Sequence, residues 1–306
     1  MKSYVAKRLI LLIPTLLGVV TLVFFLIHMI PGDPVEVMLG ETAQSADKER
    51  LRQDLGLDQP IPVQYAHFLE GLAKGDMGRS YFYRQPVSKV IIERIPATAE
   101  LALAGMIVAL IIAIPLGIIA ALRKNTAIDH GSMFLSLVGV SMPHFWLGPL
   151  LILAFAIAWP LFPASGREGL ASLVLPAVTL GTALAAVLSR MTRASVLESL
   201  GEQYVTAARA RGLPERRVIG KHVLRNALIP VVTIVGLQFG SLLSGAVITE
   251  NVFSWPGLGT LFIGSIQSRD YPVVQGCVLF ISLTYVLINL ATDLIYAAID
   301  PRIRYQ

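Results

Sequence analysis

Residues with reactive side chains are present in this chain, but at spacings that assemble no reaction. The stretch "GLPERRVIGKH" at 212–222 has the glycines and lysine of a phosphate-cradling loop. Its glycines are too far apart for G-x-x-x-x-G-K-[ST], and His222 stands where a Mg-holding Ser or Thr is required. Neither H-E-x-x-H nor G-x-S-x-G occurs, and the five histidines are scattered, so neither a zinc nor a serine hydrolase is supported. Cys277 is the only cysteine, which excludes an intramolecular disulfide and a cysteine-based metal cluster. Two polar residues in apolar surroundings remain. His144 follows Met142 and Pro143, where it could meet a cargo or hydrogen-bond a carbonyl freed by the proline. Asp293, in "NLATDLIYAAIDPRIRY", is the conspicuous charge within an apolar run. Its neighbours Asp300 and the terminal arginines favour a structural or gating role over ion binding.

The elements that must hold these residues follow from composition. Of 306 residues, 55% are hydrophobic and 15% charged, which is well to the apolar side of a soluble domain. About 20 apolar residues cross roughly 30 Å of hydrocarbon as a helix, a conformation that satisfies its own backbone in lipid. Six runs qualify, near 9–30, 99–122, 133–160, 172–192, 228–250 and 274–298. They predict an all-α membrane protein of six spans, the third tilted or kinked at "SMPHFWLGP". The first run has a basic start like a signal peptide. It is too long for one and is followed by "PGDP", so a retained helix is expected.

The formal charge of +5 would suggest nucleic acid in a soluble protein, but here the placement of charge is the better guide, and no nucleic-acid partner is expected. Lys2, Lys7 and Arg8 precede span one, Arg123 and Lys124 follow span two, and Arg302 and Arg304 end the chain. Eight more basic residues, from Arg190 to Arg225, lie between spans four and five. The short loops of the other face carry Arg167 and Arg269. The positive-inside bias therefore puts both termini in the cytoplasm and 31–97 outside. This divides the chain into a helix at 1–30, an external segment at 31–97 and a five-helix core at 98–306. The external segment reads as two short helices, near 47–55 and 62–73, stopped by Gly56 and Gly75. It is too small for an independent core and must pack on its own membrane domain or on a partner. Glu100 suits the start of span two, where an acid complements the helix dipole.

The polar loop at about 198–226 interrupts two very apolar spans. Residues 202–211 favour helix, Gly212 is placed as a stop, and Pro214 suits the first position of a second helix. Thr206, Ala207, Ala208 and Ala210 give the first helix a slim surface beside Tyr204, while Arg209 and Arg211 can reach acidic or carbonyl partners. Two readings are open: a peg for a cytoplasmic cleft, or an amphipathic helix held on anionic lipid. On the other face, "ENVFSWPGLGTLFIGSIQSRDYPV" is too broken to span. Phe253 and Trp255 favour an interface, Pro256, Gly257 and Gly259 make a turn, and Glu250 could face a water-filled vestibule. That loop either only closes the fold or borders a translocation path.

"TAARARG" followed by "HVLRNALIPVVT" resembles the EAA loop of binding-protein-dependent ABC importer permeases, in the form found in the dipeptide, oligopeptide and nickel group. Thr206 stands at the Glu position of the general motif, and His222, Leu224 and Arg225 stand where Ile, Leu and Pro would fall; both departures are typical of that group. "RLILLIPTLLGVVTLVFFLIHMIPGDP", "GVSMPHFWLG", "ENVFSWPGLG", "RDYPVVQG" and "DPRIRY" extend the resemblance along nearly the whole chain, which is most similar to the dipeptide-type first permease subunit. The resemblance implies a type I importer permease in a bacterial or archaeal inner membrane. It implies a homologous second permease, two ATP-binding subunits that carry the ATP and Mg, and an extracytoplasmic binding protein that delivers cargo. The loop at 198–226 would be the coupling helix, and the Trp255 loop would border the path. No catalysis and no cofactor are expected in this chain. Dipeptides and longer peptides are the expected cargo, with nickel chelates or glutathione as alternatives on the same machinery. An ion-coupled secondary transporter using Asp293 is the rival reading, and it leaves the polar loop without a role.

Overall fold

The computed structural model describes the backbone of residues 2–29, 32–40 and 44–299; the side chains of 2–9, 241, 243–245, 293 and 295–299 fall outside that description. The described residues are helical almost throughout and form no strand. Five helices are long and apolar enough to cross a membrane. A sixth crossing results when Ala127–Ser141 and His144–Ala158 are taken as one broken span, bent by 101°. The break falls at Met142 and Pro143, both in extended backbone. Proline disfavours helix in the residue before it, so the third run becomes two helices rather than a tilted one.

The chain divides into two compact units, residues 1–98 with 256–286 and residues 99–255 with 287–306. The first contains α1 (Lys2–Met29), α2 (Pro34–Leu39), α3 (Ser45–Asp54), α4 (Ile61–Ala73), the start of α5 (Val87–Leu122), α12 (Leu258–Gln267) and the first half of α13 (Tyr271–Ile299). Gly56 and Gly75 take φ of +66° and +77°, the left-handed stops expected after α3 and α4. Val87, Val90 and Ile91 pack with Leu258, Leu261, Val273 and Cys277. A Cβ on Gly276 would lie 2.5 Å from Val87 Cγ1, so α5 and α13 meet closely there. The 31–97 segment is therefore bound to its own chain. Asp270, fully buried, accepts hydrogen bonds from the Ser80 hydroxyl and from the backbone N–H groups of Tyr81 and Phe82 (3.1 Å each).

The second unit is built around α8 (Leu170–Leu200), which packs on α6 (Ala127–Ser141), on α7 (His144–Ile152) with its wide-turned continuation Leu153–Ala158, and on α11 (Leu224–Val252). Lipid gives apolar helices no hydrophobic reason to associate, so close contacts are made through small residues. A Cβ on Gly117 would stand 2.6 Å from Ser189 O, and one on Gly181 2.6 Å from Gly105 O. Between α6 and α8 the Ser136 and Ser189 hydroxyls meet at 2.7 Å. Arg193 of α8 grips Asp129 of α6 through two bonds, Nε to Oδ1 at 2.5 Å and Nη2 to Oδ2 at 2.7 Å.

Candidate functional site

The loop after α8 begins at Gly201 and Glu202, whose extended backbone starts α9 (Gln203–Ala210). Gly212, at φ +73°, stops that helix: its N–H donates to Arg209 O at 2.9 Å, and Leu213 N–H reaches back to Ala208 O. This is a Schellman stop, and it needs the glycine. Pro214 precedes the next helix rather than opening it, holding extended backbone before α10 (Glu215–Arg217). Wide helical turns at Val218–Val223 then lead into α11. The 212–222 fragment is thus a helix stop followed by helical turns, with no strand before it, and offers no cradle for a phosphate.

α9 has two unlike faces. Val205 and Ala208 are buried in a core with Ala121, Val196, Val218, Val223 and Ala227. Thr206, Ala207, Ala210, Arg211 and Gly212 are exposed, as are Tyr204 and Arg209. Of the slim residues marked in the sequence, Ala208 therefore faces inward, because the i, i+3 spacing from Val205 puts both on one side. Arg209 finds an acid within its own loop, with Nε 2.7 Å from Glu215 Oε1. An exposed pair of this kind contributes about 0–1 kcal/mol. It positions the guanidinium more than it stabilises the fold.

The second group of marked residues surrounds the end of α11. Phe253 and Trp255 are fully buried rather than interfacial, and Glu250 is enclosed rather than open to a vestibule. Three contacts explain the closure. Gly166 N–H donates to Phe253 O at 3.0 Å, and Trp255 N–H to Glu250 O at 2.8 Å. A Cβ on Gly148 would lie 3.2 Å from the Phe253 ring, so the glycine makes room for that ring. Arg167 covers Trp255, its guanidinium carbon 5.9 Å from the ring centroid, while Nη2 lies 2.6 Å from Glu100 Oε2. Glu100 is consequently not at a helix start; α5 begins at Val87, and the acid works as the partner of Arg167. No local pattern could signal a pairing across 67 positions.

His144 hydrogen-bonds Thr179 O of α8 at 3.2 Å. It also borders a cavity of about 270 Å³ lined by Val140, Leu180, Leu184, Gln238 and Leu242, so it satisfies a carbonyl and still faces open space. Asp293 belongs to α13, and its side chain lies outside the described residues. No group of three His, Cys, Asp or Glu residues comes together among the described residues.

Membrane-length helices joined by an exposed basic loop define a multi-pass membrane protein, and comparison with known proteins makes the class specific. Residues 113–305 match the family described as binding-protein-dependent transport system inner membrane component, and residues 1–102 match the N-terminal family of the same membrane components. The chain is 44% identical over 338 aligned residues to the dipeptide transport system permease protein DppB of Escherichia coli K12. It is 47% identical over 306 to the glutathione transport system permease protein GsiC of Pectobacterium atrosepticum; all of each chain is covered in both cases. In fold it is similar to a chain of the inward-facing MetNI methionine ABC transporter, with a TM-score of 0.60 at 18% identity, over 69% of this chain and 96% of that one. The chain belongs to the binding-protein-dependent transport permeases: it is an inner-membrane permease subunit of an ABC importer.

Proposed function

We propose that this permease forms half of a translocation path for short peptides and that α9 is its coupling helix, docked in a groove of an ATP-binding subunit. The observation that carries the reading is the two-faced α9, locked to its own core by Val205 and Ala208 and bare along Thr206, Ala207 and Ala210. A helix held in this way moves with α8 and α11 when something pushes on its free face. A homologous second permease completes the path, two ATP-binding subunits supply ATP and Mg, and a binding protein delivers cargo from outside. The basic loops lie in the cytoplasm with both termini, and 31–97 lies outside. The segment around Trp255 borders the path on the outer side, with buried Phe253, Trp255 and Glu250 holding it in place from within, His144 lies along the path, and Asp293 serves gating or structure.

Peptide cargo is supported by the dipeptide permease relative. Glutathione is the second reading, favoured by the higher identity to the glutathione permease and by an alignment of 306 residues, the length of this chain. The test is uptake by the purified assembly in liposomes, offered a labelled dipeptide or glutathione together with the cognate binding protein. ATP-dependent uptake that an ionophore leaves unchanged is expected. Uptake that collapses with the ion gradients while ATP is constant would sink the proposal in favour of a secondary transporter.

A further inference from the structure

Within the first unit, a cavity of about 290 Å³ opens between the end of α1, the turn before α4, α4 itself and the start of α13. Ligand pockets begin at roughly 300 Å³, so this one suits a small molecule of a few residues at most. Phe24 and Phe68, stacked with centroids 5.8 Å apart, form an aromatic wall with Tyr81 and Tyr271. No Lys or Arg lines the cavity. Asp76 supplies its one carboxylate, with Oδ1 accepting from Gly78 N–H at 2.8 Å.

The informative residue is Gln275. It is 7% exposed, faces this cavity from α13, and its amide has no hydrogen-bond partner among the described residues. Gln64, the amide across the cavity, is by contrast engaged: Nε2 donates to Gln59 O at 2.8 Å, and Oε1 lies 3.3 Å from His28 Nε2. The side chain is mostly enclosed while its amide stays open to the cavity, where a ligand can complete its hydrogen bonds. An amide offers one acceptor and one donor pair, the complement of another amide. The carboxylate and the aromatic faces favour a cation, and His28 and His67 are the other titratable groups of the lining besides the tyrosines.

We propose that this cavity binds the amino-terminal end of a short peptide. Gln275 pairs with the first peptide amide, Asp76 faces the ammonium, and the Phe24–Phe68 wall takes the first side chain. This rests on the peptide-cargo reading above and adds a holding site on the 31–97 side, separate from the Trp255 segment.

The assembled complex in lipid nanodiscs, without binding protein or ATP, is titrated calorimetrically with L-phenylalanyl-L-alanine. Saturable binding is expected, about 5- to 10-fold weaker in Gln275→Leu, the loss of one hydrogen bond to a buried partner. The N-acetylated dipeptide should also bind about tenfold more weakly. Where Gln275→Leu fails to assemble, Phe68→Ala serves: it should weaken phenylalanyl-alanine more than glycyl-alanine. No saturable binding, or equal affinity in wild type and variants, overturns the site. If peptides are still imported in that case, only this inference falls; if the complex imports a non-peptide cargo and binds no dipeptide, the cargo reading falls with it.

Discussion

The guanidinium of Arg167 lies over the Trp255 ring while its Nη2 touches Glu100, so one side chain ties the loop before α8 to both α5 and the segment after α11. Both charges are more than a third exposed, and the tie is correspondingly modest. Arg167→Ala should lower stability by about 0.5–1 kcal/mol. Arg167→Lys should recover only part of this, because the planar group stacks and the ammonium does not. Chemical unfolding of the detergent-solubilised chain checks the order, and raising the salt should shrink the charge-dependent part. Equal stability of all three at low salt would show that the contact is ornamental.

The Arg193–Asp129 bridge behaves differently because the carboxylate is 1% exposed. Removing the arginine strands an acid that has little access to water, so Arg193→Leu should lower the unfolding temperature by several degrees. Adding Asp129→Asn should restore much of the loss, since the double variant has no orphaned charge. A double variant less stable than Arg193→Leu would refute this account of the pair.

Neighbouring alanines of α9 should respond oppositely to the same ring. Ala208→Trp forces a large side chain into the Val205, Val218 and Val223 core and should destabilise the isolated chain by about 1–3 kcal/mol. Ala207→Trp, on the exposed face, should leave the chain's own unfolding within about 0.5 kcal/mol of wild type and yet release the ATP-binding subunits on purification. Normal assembly and ATP-driven uptake by Ala207→Trp would return the exposed face to a lipid-surface role.

The contrast between those two alanines also shows how far the sequence could be read. Gly212 as a helix stop, the helices ended by Gly56 and Gly75, and the apolar spans were legible because each depends on local pattern or backbone conformation. The facing of Ala208 was not, since a slim residue suits both a docking surface and a tight core. The start of α5 was missed because Lys89, Glu93 and Arg94 interrupt the apolar run, although Val87, Val90 and Ile91 supply a buried face. The 101° bend was foreseen only as a tilt or kink, and the Arg167–Glu100 and Asp270–Ser80 pairs join positions too distant for any local pattern to reveal.

Orientation in the membrane is open to direct labelling. Cys277 is fully buried, so the wild-type chain should give little background with an impermeant thiol reagent. A cysteine at exposed Gln53 should react from outside intact cells with a permeabilised outer barrier, and one at exposed Arg216 should react only after the inner membrane is opened. The reverse pattern would overturn the orientation and the docking role of α9 together.

The split character of α9 also bears on how such a loop can change over generations. On the docking proposed for α9, exposed Thr206, Ala207 and Ala210 answer to the surface of the ATP-binding subunit, so a substitution there would be matched by one in a different polypeptide. Val205 and Ala208 answer to a core of their own chain that includes Ala121, Val196, Val218, Val223 and Ala227. Drift along these eight consecutive residues would then be governed by two separate sets of correspondents, sorted by helical face, and a partner could be exchanged by rewriting the outer set while the inner one stands still.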